Sequence, residues 1–326
     1  MIICRTPLRM SFVGGGSDLP EYYKKKVGAV LSTSIDKYIY VSVNKKFDDN
    51  IRLSYSSTEN VNNIANIKHP IVRNVLKFLK IQKGLEIGSI SDIPSRGSGM
   101  GSSSSFTVGL IHALYRYMNL EITKEELGRL SSYIEIDLCG DKIGKQDQYS
   151  ASFGGLNLIE FNEDESVKVT PISCSDRTLK KFESSIVLFF TGRTRKASDL
   201  LAQQSQNIKH NNKRNLISDM VDLTYEMKNL IEKDDVDSLG ELLDKNWKLK
   251  KQLASNISDS EIDNLYNQGI NAGAKGGKLL GAGNGGFLMF YAPQEKHLEI
   301  TKAMRGLKKI SFNFDNSGSQ IVFSDQ

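Results

Sequence analysis

Cysteine is scarce: Cys4, Cys139 and Cys174 are the only three in 326 residues. An odd, scattered set makes neither a disulfide framework nor a zinc site, so reduced thiols in a cytoplasmic protein are expected. No apolar run approaches the ~20 residues that span a bilayer, which argues against a membrane helix. The opening Met1-Ile2-Ile3-Cys4-Arg5 carries no secretory pattern. Charge of one sign is not concentrated either. Lys and Arg number 43 against 38 Asp and Glu, a net +5, and the basic residues are spread along the chain. That distribution points away from nucleic acid and suits a small anionic substrate. His69, His112, His210 and His297 form no cluster and read as structural or surface residues. No G-x-x-x-x-G-K-[ST] phosphate loop occurs.

What is present is ordinary in bulk and unusual in three places. Hydrophobic residues make up 39% and charged residues 25%, as in a globular protein, and the length favours two domains. The first unusual place is Pro94-Ser95-Arg96-Gly97-Ser98-Gly99-Met100-Gly101-Ser102-Ser103-Ser104-Ser105. Three glycines alternate, four serines follow, and Phe106, Val108, Leu110, Ala113 and Leu114 continue as a buried helix. A glycine loop opening a helix presents free N–H groups and a partial positive charge, which suits phosphate. The serine hydroxyls add donors to phosphate or ligands for a hard cation such as Mg²⁺.

The second place follows a predicted strand over 2–13: Gly14-Gly15-Gly16-Ser17-Asp18. Asp18 caps the next helix or holds sugar hydroxyls; both readings stand on the sequence. Arg9, in an otherwise apolar strand, needs an anionic partner. Further strands are expected over 29–47, 51–55 and 85–91, with a helix over 68–80. Thr123-Lys124-Glu125-Glu126 reads as a capping box for a helix running to about Leu138, with Glu135 on it. A polar loop over 140–148 holds Lys142 and Asp147, and a hairpin spans 155–171. The pattern turns polar over 172–183, where a domain boundary is placed. After an apolar strand at 185–190, Thr191-Gly192-Arg193-Thr194-Arg195-Lys196 is an anion-binding turn or a solvated basic one. Residues 197–254 read as nearly all helical, with the lone Trp247 packed among them. Ser258-Asp259-Ser260-Glu261 is a second capping box, 294–306 a helix, and 309–314 and 320–324 closing strands.

The third place is Gly276-Gly277-Lys278-Leu279-Leu280-Gly281-Ala282-Gly283-Asn284-Gly285-Gly286-Phe287. Gly281-x-Gly283-x-x-Gly286 has the spacing of a dinucleotide fingerprint, but that motif must open a helix. Here Phe287-Leu288-Met289-Phe290-Tyr291 reads as a strand, so the loop is expected to be a packing surface.

Three glycine-rich motifs in this order resemble the GHMP kinases over essentially the whole chain. The opening stretch is similar to that family's P-x-x-x-G-L-G-S-S-A loop, with Met100 at the Leu position and Ser104 at the Ala position. Pro7-x-Arg9…Gly14-Gly15-Gly16-Ser17-Asp18 resembles the branch that includes heptose 7-phosphate kinases and fucokinases. The resemblance implies an α+β fold of two domains, 1–175 and 176–326. Each is a mostly antiparallel sheet with helices packed on it, and the active site lies in the cleft between. It implies ATP and Mg²⁺ as cofactors. Pro94, Arg96, Gly97, Ser98, Gly99, Met100, Gly101, Ser102, Ser103 and Ser104 would form the nucleotide loop, with Ser103 and Glu135 on the metal. Asp147 in Gly144-Lys145-Gln146-Asp147-Gln148 would be the base, with Arg9 beside it favouring the ionised carboxylate. Ser104 and Ser105 lie a turn further in, where packing is expected. Gly15, Gly16, Ser17 and Asp18 would face the acceptor, with Lys142, Arg193, Arg195 and Lys196 as candidate cations for an acceptor phosphate. The leading expectation is transfer from ATP to O1 of D-glycero-D-manno-heptose 7-phosphate. A fucokinase-like enzyme of a neutral sugar and a non-catalytic sugar and nucleotide sensor are the alternatives. Ser103, Glu135 and Asp147 are intact, which counts against the sensor. The expected partners are a sugar phosphate and ATP, and a homodimer is left open.

Overall fold

A computed structural model describes residues 1–94, 97–194, 197–210 and 213–325. Two sheets organise it. The first has nine strands and grows around the long hairpin of Ile2–Val13 and Gly28–Lys45. Both strands are dense in Val, Ile and Leu and buried for most of their length, which fits a sheet covered on both faces. Gly28–Lys45 continues to Leu85–Ser91, then Ile51–Ser54 and Thr58–Val61, and its first half also pairs Leu156–Phe161. Every pairing in this sheet is antiparallel except that of Ile51–Ser54 with Leu85–Ser91. The second sheet is antiparallel throughout, in the order Lys308–Ile310, Ile186–Phe190, Phe287–Tyr291, Gly276–Leu279.

Most expected elements are present with ends shifted by a few residues. The helix over 68–80 is Pro70–Phe78, with proline in the first turn, where its missing N–H costs nothing. Thr123 does cap its helix, accepting from the Glu126 N–H at 3.2 Å. The cap of the later helix is Asp259, which accepts from the Ile262 N–H at 3.0 Å, rather than Ser258. The 197–254 stretch is three helices, Ala197–His210, Arg214–Glu232 and Leu239–Lys251, and Trp247 is fully buried. A short strand, Thr58–Val61, was not expected.

Two departures matter for the site. The polar loop over 140–148 ends early, because Gln146–Phe153 is a helix carrying Asp147 in its first turn. The chain's end also departs from a simple second unit of 176–326. Lys308–Ile310 belongs to the second sheet, but Phe314–Asp315 and Gln320–Ser324 return to the first, where Gln320–Ser324 pairs with Ile2–Val13. Ser319 fixes that return: its hydroxyl meets Thr6 Oγ1 and His112 Nδ1 at 3.0 Å and Cys4 Sγ at 3.2 Å. Among the described residues no helix is long and apolar enough to cross a membrane.

Candidate active site

Between the two sheets lies a cavity of about 460 Å³, lined from both halves of the chain. Its wall on the first sheet's side is built by the helix Ser102–Tyr117. Gly101 is the N-cap, in the left-handed region at φ 74°, and no side chain caps the helix. The first-turn N–H groups therefore point at the cavity without an intrahelical partner. Ser102, Ser103 and Ser104 line the cavity there, with Gly97, Ser98, Gly99 and Gly101. This geometry suits an anion: aligned N–H dipoles, flanking hydroxyls and no carboxylate in the first turn.

The third glycine stretch holds that loop from behind. A Cβ at Gly99 would lie 2.4 Å from the Leu280 carbonyl oxygen, and one at Gly281 would lie 2.4 Å from Gly99 Cα. A Cβ at Gly286 would lie 2.3 Å from the Ser98 oxygen. Two backbones approach so closely that only glycine fits. The expected packing surface is thus realised, and what it packs against is the serine-glycine loop itself.

Glu135 sits beneath the serines, with no exposed surface. It lies in a π-helical turn, Tyr133–Leu138, that continues the helix Lys124–Ser132; such turns often re-aim a functional side chain. Ser103 donates to its Oε1 at 3.0 Å, while Ser104 and Gln148 donate to its Oε2 at 2.7 and 2.6 Å. Burial pushes the carboxyl up to about 7, against the pull of these three donors. A carboxylate and a hydroxyl oxygen side by side suit a magnesium ion, but of the two only Ser103 lines the cavity; Glu135 stands behind it, outside the lining, with its oxygens held by Ser103, Ser104 and Gln148. Mg²⁺ usually takes one or two protein oxygens and completes its shell with phosphate and water. Among the described residues no group of three or more His, Cys, Asp or Glu could hold a metal ion.

Asp147 stands across from the loop. A Cβ at Gly101 would touch its Oδ2 at 3.3 Å. Arg9, 3% exposed, donates from Nε and Nη2 to Asp147 Oδ1 at 2.8 and 2.7 Å, and from Nη1 to the Gly99 carbonyl at 2.7 Å. One guanidinium therefore fixes both the carboxylate and the serine-glycine loop, a use of its rigid fork that a lysine could not reproduce. Asp18 is buried beside them. Its Oδ1 accepts from the Gly16 N–H at 3.2 Å and its Oδ2 from the Gln146 N–H at 3.3 Å. Burial, and then the nearby Asp147, raise its carboxyl above the usual range.

The arrangement sets a helix start suited to an anion across a cavity from the Asp147 carboxylate. The family descriptions "GHMP kinases N terminal domain" and "GHMP kinases C terminal" match residues 67–155 and 227–306. A Campylobacter jejuni protein, D-glycero-alpha-D-manno-heptose 7-phosphate kinase, is 32% identical over 313 residues, covering 92% of each chain. The chain belongs to the GHMP kinases. A solved structure of a putative sugar kinase from Campylobacter jejuni superposes with a TM-score of 0.78 at 31% identity, over 98% of this GHMP kinase and 97% of the other chain. A D-glycero-D-manno-heptose 1-phosphate kinase from Bacteroides thetaiotaomicron gives 0.82 at 24% identity, over 99% and 100%, which speaks for the fold.

Several expected site residues of this GHMP kinase fall elsewhere. Asp18 does not cap the next helix: Pro20–Tyr23 begins at Leu19 without a side-chain cap, and Asp18 instead serves the start of Gln146–Phe153. Ser17 is absent from the cavity lining, because its hydroxyl is tied to the Gly14 and Ala29 carbonyls at 2.8 and 3.0 Å. Met100 is fully buried, and Pro94 is exposed away from the lining. Ser104 is more than packing, since it holds Glu135, whereas Ser105 does pack, donating to the Pro7 carbonyl at 2.8 Å. Arg193 is not a free cation. It pairs with Asp259 at 2.5 Å and Glu261 at 2.9 Å, and its backbone carbonyl accepts from the Gly286 N–H. Lys142 is exposed and outside the lining. Arg96, Arg195 and Lys196 lie outside the described residues.

Two lysines that line the cavity were missed, Lys250 and Lys278. Lys250 carried a signal: it continues the buried stripe Leu239, Leu242, Leu243, Asn246 and Trp247 on its helix. A lysine on an apolar stripe needs a reason to be there. Lys278, one residue of the short strand Gly276–Leu279, carried none.

Proposed function

We propose that this GHMP kinase transfers the γ-phosphoryl group of ATP to O1 of D-glycero-D-manno-heptose 7-phosphate. The observation that carries the acceptor is the 32% identity, across 92% of both chains, to the Campylobacter jejuni heptose 7-phosphate kinase. The geometry supports the reaction class. The head of Ser102–Tyr117 is suited to the nucleotide phosphates, and Ser103 with Glu135 to their magnesium ion. When bound, that ion supplies charge neutralisation on the phosphates. Asp147 takes the proton of the attacking hydroxyl, and Arg9 keeps the carboxylate aimed at it. Asp18 retains lone pairs beyond its two backbone bonds, and these suit the hydroxyls of the sugar ring. The cavity also carries Arg9, Lys250 and Lys278 against Asp18, Asp141 and Asp147, a mixed lining that accommodates a phosphorylated sugar. A reaction fed by ATP suits a cytoplasmic enzyme.

An ADP-release assay with Mg-ATP tests the reading against heptose 7-phosphate, free heptose, fucose, galactose, mevalonate and homoserine. Turnover confined to the phosphorylated heptose is the expected result. Preference for a neutral sugar overturns the acceptor, and ADP release with none of them overturns the enzyme reading in favour of a sensor.

A further inference from the structure

Lys250 has no counterpart in the roles assigned so far. Its helix, Leu239–Lys251, packs in the second half of the chain, yet its ammonium reaches the cavity. Its hydrogen bond goes to the Gly281 carbonyl. Gly281 in turn lies directly on Gly99 of the phosphate loop. On the other side, a Cβ at Gly15 would lie 3.8 Å from Lys250 Nζ. The ammonium thus stands between the phosphate loop and the Gly14–Gly16 turn, which is where donor and acceptor must meet. Among the described residues no carboxylate lies within ion-pair distance of it, although Asp18 and Asp147 act on it through space, as does Arg9. An ammonium has three donors. One is used on Gly281, and the cavity is open to the others. A buried cation without a partner is costly, and an anionic ligand removes that cost.

Lys278 makes the contrast. Its ammonium donates to both the Ser11 and Phe12 carbonyls, at 2.8 and 2.9 Å, so it ties the second sheet to the first strand. Lys250 has a single carbonyl, that of Gly281, and stands beside Gly15.

On the functional reading above, we propose that Lys250 is a catalytic residue that donates hydrogen bonds to the oxygens of the phosphoryl group in transfer, opposite the first turn of Ser102–Tyr117. In that step O1 of the acceptor bonds to the γ-phosphorus and the bond from phosphorus to the β,γ-bridging oxygen breaks. ADP leaves with that electron pair, and the O1 proton passes to Asp147. Lys250 neither gains nor loses a proton. It balances the charge on the equatorial oxygens, where positioned donors are strongest in a water-poor site. Asp147 and Arg9 serve the incoming oxygen, the serine loop serves the leaving group, and Lys250 serves the group between them.

The test is Lys250→Met, which keeps the shape and removes the ammonium, with Lys250→Gln as a second variant that can still donate to Gly281. Steady-state kinetics with heptose 7-phosphate and Mg-ATP should show kcat lowered on the order of 10²-fold or more, as when an oxyanion donor is lost. KM for the acceptor and the dissociation constant of Mg-ADP should stay within about threefold, as expected for an interaction made in the transition state. Mg-ADP with aluminium fluoride, a mimic of the transferring group, should lose affinity by a comparable factor in both variants. A kcat within about fivefold of wild type overturns the proposal, and so does an effect confined to acceptor KM, which assigns the lysine to the acceptor's own phosphate. If one variant melts early, the other carries the measurement; if both do, the aluminium fluoride affinity below their melting points decides. The aluminium fluoride arm needs no acceptor. If the wild-type protein ignores heptose 7-phosphate, the acceptor reading fails while Lys250 is still judged.

Discussion

Glu135 is a residue whose burial is explained by function better than by stability. A carboxyl with no exposed surface, raised from 4.5 to about 7, costs folding free energy once the unfolded chain would ionise it. Its folded value exceeds its unfolded value, so its contribution is most favourable below about pH 4.5. That contribution is lost as pH rises through about 7, a difference on the order of 3 kcal/mol at 1.36 kcal/mol per unit. Glu135→Gln should therefore melt higher than wild type at pH 8 without nucleotide, and the gap should close towards pH 5. The same variant should lose magnesium-dependent turnover. Melting curves across pH, beside ADP-release rates, check both halves; equal pH dependence in the two proteins refutes the burial account. Asp147→Asn keeps an oxygen for Arg9 to hold but removes the proton acceptor. Turnover should fall on the order of 10²–10⁴-fold with Mg-ADP affinity unchanged, as read by kinetics and calorimetry. Of these residues, Asp147, Arg9, Ser103 and Glu135 were legible through the motifs that flank them. Lys250 showed only as a lysine on a buried stripe; that the stripe reaches the cavity was not legible, because which face of a helix meets a cavity depends on what the helix packs against.

The element that decides the site is a pair of glycine loops rather than one. The serine-glycine loop signalled itself by opening a helix, and the Gly281–Gly286 stretch by failing to. Their contact could not be read from either, because residues 99 and 281 meet only through the approach of the two sheets. Gly99→Ala puts a methyl against the Leu280 carbonyl at φ 76°. It should lower stability by about 1–3 kcal/mol and weaken Mg-ATP binding, since relief comes only by moving the loop. Gly192→Ala provides the comparison: φ is 74°, but nothing among the described residues lies within 4 Å of the added methyl. Denaturant melts should show the smaller loss there, with nucleotide affinity retained. The helix Gln146–Phe153 and the π-helical turn at Glu135 escaped the sequence for a related reason. Short elements carry too little periodicity to declare themselves, and these two are held by partners distant in the chain: the Gln146 N–H on Asp18, and Glu135 on Ser103, Ser104 and Gln148.

At the scale of the whole molecule, the last strands close the first sheet. Gln320–Ser324 pairs with Ile2–Val13, Ser319 joins Cys4, Thr6 and His112, and Phe314 packs its ring near Phe12 and Phe182. A chain ending at Ile310 strips an edge from the sheet that carries Arg9, and leaves buried hydroxyls and a thiol without their partner. It should lose cooperative unfolding by circular dichroism and kinase activity together; a truncated protein that melts as wild type does would show the return to be dispensable. The strand pattern over 320–324 was visible, but not the sheet it joins, because a run of five residues with three consecutive apolar ones pairs as well with one exposed edge as with another.

The sequence by itself determined the family, the glycine-rich helix start and the α+β class, because each rests on motifs and local chemistry. A glycine loop, a helix N-terminus or a run of β-branched residues acts through neighbours in the chain. Only the tertiary structure decided which cations face the cavity. It turned Arg193 away to Asp259 and Glu261, brought Lys250 and Lys278 in from the second half, and set Gly281 against Gly99. Charge placement across a cleft is a property of two surfaces meeting, and no stretch of chain encodes it alone.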